Sequence, residues 1–147
     1  MVAGSTGFVD YLKYSCPGLI YSTALVPASV AGTKCVLDIL ESEFSSISSH
    51  LRNNHTLLTA ALKEHGYSIL GGEAPIISIT CGKKDRTVDL AKRFFEKGII
   101  TTPFIEPSVP PRKGVVRIIP QAGLTKEDRS KVIGAIRSID GWLTKEK

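Results

Sequence analysis

Several of the features that usually classify a chain are absent from this one. Its 147 residues hold only three cysteines, Cys16, Cys35 and Cys81, far apart and without a CxxC pair. Such usage excludes a disulfide-stapled scaffold and a thiolate zinc site, and it leads us to expect a reducing, cytoplasmic compartment. There is no GxGxxG and no Walker loop, so neither glycine-rich phosphate cradle is present. No apolar run reaches the roughly 18 residues that a membrane-spanning helix needs. No basic segment leads into an apolar stretch at the start, so no signal peptide is expected. Aromatic residues make up 7% and are not interleaved with the 19 Lys and Arg, which argues against nucleic acid as a partner. The three histidines, His50, His55 and His65, do not share one helix face, and no metal site is expected. No Ser/His/Asp or Cys/His arrangement stands out.

What remains is an ordinary globular composition, 42% apolar, long enough for one domain or one domain plus part of another. The net charge of +5 favours an anionic ligand such as a nucleotide or a coenzyme A tail. Cys35 and Cys81 sit among apolar residues and read as core positions. Asn54-His55-Thr56 is a formal glycosylation sequon, which the cysteine usage marks as chance.

Along the chain, residues 6–15 predict a short helix, broken by Cys16-Pro17-Gly18. Leu19 to Ser22 predicts a short strand. Pro27 suits the first turn of a helix running to about Glu41, with Val30, Ala31, Val36, Leu37 and Leu40 available for burial. Ser45 to Ser49 reads as a weak joint. A second helix follows, carrying Ile47, Leu51, Leu58 and Leu62 and stopping near His65-Gly66.

Ile76 to Cys81 predicts a strand. Lys83 to Lys97 predicts a helix with Val88, Ala91, Phe94 and Phe95 inward, closed by Gly98. Ile99 to Phe104 is a strand, Pro107 to Pro111 a stiff loop unable to join a sheet, and Val115 to Ile119 another strand. Thr125 caps a last helix, with Asp128 at N3 and Val132, Ile136, Ile139 and Leu143 as its buried stripe. The pattern gives an α/β module in two layers, with helices on one face of a small sheet.

Three places invite chemistry. Arg117 lies in Val115-Val116-Arg117-Ile118-Ile119, and a lone charge in an apolar strand is costly if buried without a partner. It either points to solvent from the open sheet face or holds a carboxylate through paired hydrogen bonds. Ser22 and Thr23 precede the Pro27 helix. They either cap and turn the chain or meet a phosphate near a helix N-terminus. The Pro107–Pro111 loop is a rigid connector or a pocket wall beside Arg117.

In order, VAGS at 2–5, DYL at 10–12, IYSTALVPASVAG at 20–32, the P-S-V-P-P loop, VVRII and a Thr-capped helix resemble the C-terminal part of an α-oxoamine synthase. That family, with 8-amino-7-oxononanoate synthase and serine palmitoyltransferase among its members, belongs to the fold-type I aminotransferase superfamily and uses pyridoxal 5′-phosphate. The resemblance spans essentially the whole chain. It implies residues 1–40 as a remnant of the large domain and linking helix, and 41–147 as the C-terminal small domain. It implies condensation of an amino acid with an acyl-CoA and loss of CO2, in a homodimer or with a complementing subunit.

By the same resemblance, Arg117 matches the arginine that holds the substrate carboxylate. Ser22 and Thr23 match the hydroxyl pair that reaches the cofactor phosphate of the neighbouring subunit. Val109 and its prolines match a loop near the active-site mouth. The Schiff-base lysine would lie before Met1, so the expectation is a fragment without a catalytic residue, inactive alone. A non-catalytic truncated or split-subunit module used for dimerisation is the competing class, and a small binding domain of similar pattern a third. One departure is Gln121-Ala122-Gly123-Leu124-Thr125 where the family often has S-A-A-H-T, with Pro120 directly after the strand.

Overall fold

The computed structural model describes residues 2–72 and 74–139. The chain forms two compact units, Met1–Ser42 and Glu43–Lys147.

The first unit holds helices α1 (Thr6–Ser15) and α2 (Pro17–Ile20) and the start of α3 (Pro27–Glu64). The strand expected at 19–22 is therefore a helical turn followed by a bend. Pro17 occupies the first helical position, where its fixed φ starts a helix. The amides of Leu19 and Ile20 then bond back to the Cys16 carbonyl, each at 3.0 Å. An apolar run of three residues carries no period of its own, so the proline decides.

Helix α3 is continuous over 38 residues, without the joint expected at Ser45–Ser49. No glycine or proline lies between Gly32 and Gly66. Each serine is worse than alanine in a helix by only about 0.5 kcal/mol, and Ser42 donates back to the Asp38 carbonyl at 3.0 Å. The C-terminal part buries Asn54, Leu58, Ala61 and Leu62. Val30, Val36, Leu37 and Leu40 are exposed rather than buried, and Cys35 is exposed rather than a core residue. No described helix is long and apolar enough to cross a membrane.

In the second unit β1 (Ile69–Leu70), β2 (Ile77–Gly82), β3 (Thr102–Phe104) and β4 (Gly114–Ile118) form one antiparallel sheet in the order β1-β2-β4-β3. Helices α4 (Lys84–Glu96) and α5 (Lys126–Ser138) follow β2 and β4 in the chain. The core joins Leu58 and Leu62 of α3, Leu90 and Phe94 of α4 and Ile136 of α5 to Ile77, Ile79, Val116 and Ile118 of the sheet. Burial alternates along β2 and β4, so one sheet face is covered and the other is open. This is the expected two-layer α/β arrangement. The two-residue strand β1 had no sequence signal.

Helix α4 buries Thr87, Leu90 and Phe94, while Val88 and Phe95 are exposed, so its stripe is rotated from the expected one. Thr87 tolerates full burial because its hydroxyl donates to the Lys83 carbonyl at 2.9 Å. Gly66 (φ 77°) and Gly98 (φ 78°) end α3 and α4 in the left-handed region, which glycine adopts without strain.

The expected cap on α5 forms in full. The Asp128 N–H donates to Thr125 Oγ1 at 3.1 Å, and the Thr125 hydroxyl and N–H donate to Asp128 Oδ2 at 2.7 and 3.0 Å. Those bonds, the hydroxyl's first, hold the Asp128 carboxyl below its ordinary pKa. Ile136 and Ile139 are buried and Val132 half-buried. Leu143 lies outside the described residues.

Asn54 clamps this unit together. Its side chain, 2% exposed, donates from Nδ2 to the Gln121 carbonyl at 2.8 Å and accepts from Arg129 Nη1 at 3.2 Å. The sequon asparagine is thus a core residue, spent on the loop that follows β4. Asn54→Leu leaves a carbonyl and a guanidinium without their partner, at a cost of about 2–3 kcal/mol. We expect the thermal midpoint of the second unit to fall by roughly 10–20 °C. A calorimetric shift under about 3 °C would show that Asn54 does not clamp the unit.

Candidate functional site

The open sheet face carries Arg117. Its backbone pairs with Ser78 of β2 on one side and Thr102 of β3 on the other. Alternation sends Val116 and Ile118 into the core and turns Arg117 with Val115 to the opposite face, as the sequence implied. Arg117 is half-buried rather than fully solvated. Its guanidinium carbon lies 4.1 Å from the centroid of the Phe104 ring. Among the described residues it has no hydrogen-bond or ion-pair partner, and its Nε is sealed from solvent.

A buried guanidinium nitrogen without a partner is costly in a folded protein. Stacking on Phe104 offsets part of that cost through the ring's negative face. An anion that accepts from the terminal Nη fork would further offset the burial of the charge, and a carboxylate fits best. Ser78 and Thr102, the cross-strand neighbours, place two further hydroxyls in the same row of this face.

A cavity of about 360 Å³ lies at the end of the same strand, walled by Lys97, Ile100, Ile119, Pro120, Leu124 and Lys131. Arg117 is not among its walls, so it presents its charge from a sheet surface. The proline loop between β3 and β4 is held by local bonds: Lys113 N–H to the Pro110 carbonyl at 3.0 Å, and Arg112 N–H to Glu106 Oε1 at 3.0 Å. Val109 within it is half-buried.

Ser22 and Thr23 belong to the first unit and are exposed. They do not cap α3, because the first turn of that helix closes on the Val26 carbonyl. Among the described residues the Ser22 hydroxyl makes only long contacts, 3.3 Å to the Leu19 carbonyl and 3.4 Å to that of Thr23. The Thr23 hydroxyl has no partner among the described residues. Both are available donors for phosphate oxygens.

Cys81 is the one titratable core group of β2. Burial pushes its thiol up to about 11, so it stays protonated and unreactive at neutral pH.

Phe104 was the element of this site that the sequence did not disclose. Its place beside Arg117 depends on β3 pairing with β4 so that Phe104 opposes Val115, one step along from Arg117. No spacing along the chain encodes that register.

The family of class I and II aminotransferases matches residues 1–136. The 8-amino-7-oxononanoate synthase of Thermoanaerobacter pseudethanolicus is 30% identical over 142 residues, covering 97% of this chain and 36% of that protein. The serine palmitoyltransferase of Bacteriovorax stolpii is 27% identical over 133 residues, covering 90% of this chain and 31% of that protein. A solved structure of SPT with PLP superposes at a TM-score of 0.83 and 18% identity, over 93% of this chain and 34% of that one. The chain thus spans about a third of the length of the curated relatives it matches.

Proposed function

Because this chain belongs to the class I and II aminotransferase family, we propose that it serves an α-oxoamine synthase, condensing an amino acid with an acyl-CoA and releasing CO2. The relatives it resembles include an 8-amino-7-oxononanoate synthase and a serine palmitoyltransferase. The observation that carries the reading is Arg117, a half-buried guanidinium with no hydrogen-bond or ion-pair partner among the described residues, on an open sheet face.

In this reading Arg117 anchors the carboxylate of the amino acid and fixes the α-carbon before reaction, a contribution of position rather than of chemistry. Ser22 and Thr23, as hydroxyl donors, suit the phosphate of pyridoxal 5′-phosphate held by the neighbouring subunit of a homodimer. Bound pyridoxal 5′-phosphate supplies an electron sink for the carbanion left at the α-carbon. The residues present fit a phosphate contact and a carboxylate contact, and neither is a group that moves protons at neutral pH. None of the lysines in residues 1–147 is assigned the Schiff base in this reading. The positive net charge of the chain favours approach of the anionic acyl-CoA.

The test is release of labelled CO2 from a carboxyl-labelled amino acid in the presence of an acyl-CoA. Residues 1–147 by themselves are expected to release none. Together with a segment that supplies the cofactor lysine, in the same or another polypeptide, they are expected to support release. A pair that binds pyridoxal 5′-phosphate yet releases no CO2 with any amino acid would leave only a dimerisation module.

A further inference from the structure

We infer that Phe104 is a positioning residue for the carboxylate site: it locks the Arg117 guanidinium so that a carboxylate meets only its terminal Nη edge. The inference rests on the reading of Arg117 given above and adds a residue and an approach direction to it.

An arginine offers a carboxylate two forks, the terminal Nη1/Nη2 edge and the side edge formed by Nε and one Nη. Here the side edge is closed. Nε is sealed from solvent and still has no partner among the described residues. No described residue bonds to either Nη, and neither is recorded as a sealed, partnerless atom as Nε is. The terminal fork is therefore the free one.

The Phe104 ring lies directly against the same group, with the guanidinium carbon over it at 4.1 Å from the ring centroid. A free arginine side chain loses considerable rotamer freedom when it binds. Stacking removes part of that freedom during folding, before any ligand arrives, so less is lost on binding. The ring also displaces water from one side of the charge, which strengthens its pairing with an anion. Phe104 can hold this position because β3 is paired along its length, Thr102 to Arg117 and Phe104 to Val115. The ring therefore reaches diagonally across the sheet to the guanidinium.

The tests use the chain itself, labelled with ¹⁵N, with L-alanine as probe and L-alaninamide, which lacks the carboxylate, as control. In the wild type the Arg117 Nε–H signal should lie upfield from ring current. L-alanine, but not the amide, should shift the Arg117 side-chain resonances. Phe104→Leu, which keeps an apolar side chain, should move the Nε–H signal downfield and weaken L-alanine binding about three- to tenfold. Phe104→Tyr should retain the signal position and the affinity.

If Phe104→Leu binds L-alanine as the wild type does while Arg117→Ala loses it, the positioning role is wrong and the carboxylate site stands. If Arg117→Ala binds as the wild type does, or the amide shifts Arg117 as the acid does, the carboxylate reading itself falls and takes Phe104 with it.

Discussion

If the proposed α-oxoamine synthase reading holds, Arg117→Ala in the complete enzyme should raise KM for the amino acid about a hundredfold and leave KM for the acyl-CoA within about twofold. Loss of one partner from a buried charge pair costs roughly 2–5 kcal/mol. The low end applies here because Arg117 is half-buried and its face is open. The effect should fall mainly on KM, since a carboxylate anchor holds ground state and transition state alike. Arg117→Lys should recover only part of the loss, because an ammonium supplies a point charge and no planar fork. Steady-state kinetics with both substrates varied decides the matter. An unchanged amino-acid KM would mean that the guanidinium faces no substrate.

Gly114→Ala should be the most destabilising single-methyl change in the second unit. A Cβ on Gly114 would collide with Thr87 Oγ1, and it would come within 3.2 Å of Thr87 Cβ and 3.0 Å of the Gly82 carbonyl oxygen. Thr87 has little room to yield, being fully buried and bonded to the Lys83 carbonyl. Overpacking of this kind costs about 1–3 kcal/mol, and contact from two sides places it at the upper end. For a unit of this size that lowers the thermal midpoint by roughly 12–24 °C.

The partner residue gives the sharper test. Thr87→Ala alone removes a hydrogen bond and a methyl group, yet combined with Gly114→Ala it should restore part of the lost stability. The double variant should be more stable than the sum of the two losses predicts, by about 1 kcal/mol or more. Strict additivity in denaturant melts would show that α4 does not press on β4 through this contact.

How far the sequence carried can be judged residue by residue. Local signals were sufficient where one residue type dictates a local bond. Thr125 and Asp128 announced their capping box, Gly66 and Gly98 their helix ends, and the alternation of β4 put Arg117 on the face opposite Val116. Signals failed where a distant partner decides. Thr87 lies inside because Gly114 leaves room for it. Asn54 is buried because a loop 67 residues later offers a carbonyl. The run Leu19-Ile20-Tyr21 had β-like composition, but Pro17 set the helical turn first. The serines at 45–49 looked like a joint only because their cost was overestimated against a continuous α3. For the candidate site, Arg117 could be picked out as an oddity in its strand, whereas Phe104 required the β3–β4 register.

Both outer strands of the sheet are its shortest, β1 with two residues and β3 with three, and Pro103 in β3 has no N–H to give. Ordered fibril growth needs an extended edge of roughly six residues able to bond a new chain above and below. Neither border of this sheet offers one. However many apolar side chains the described residues show to solvent, this sheet is a poor template for amyloid.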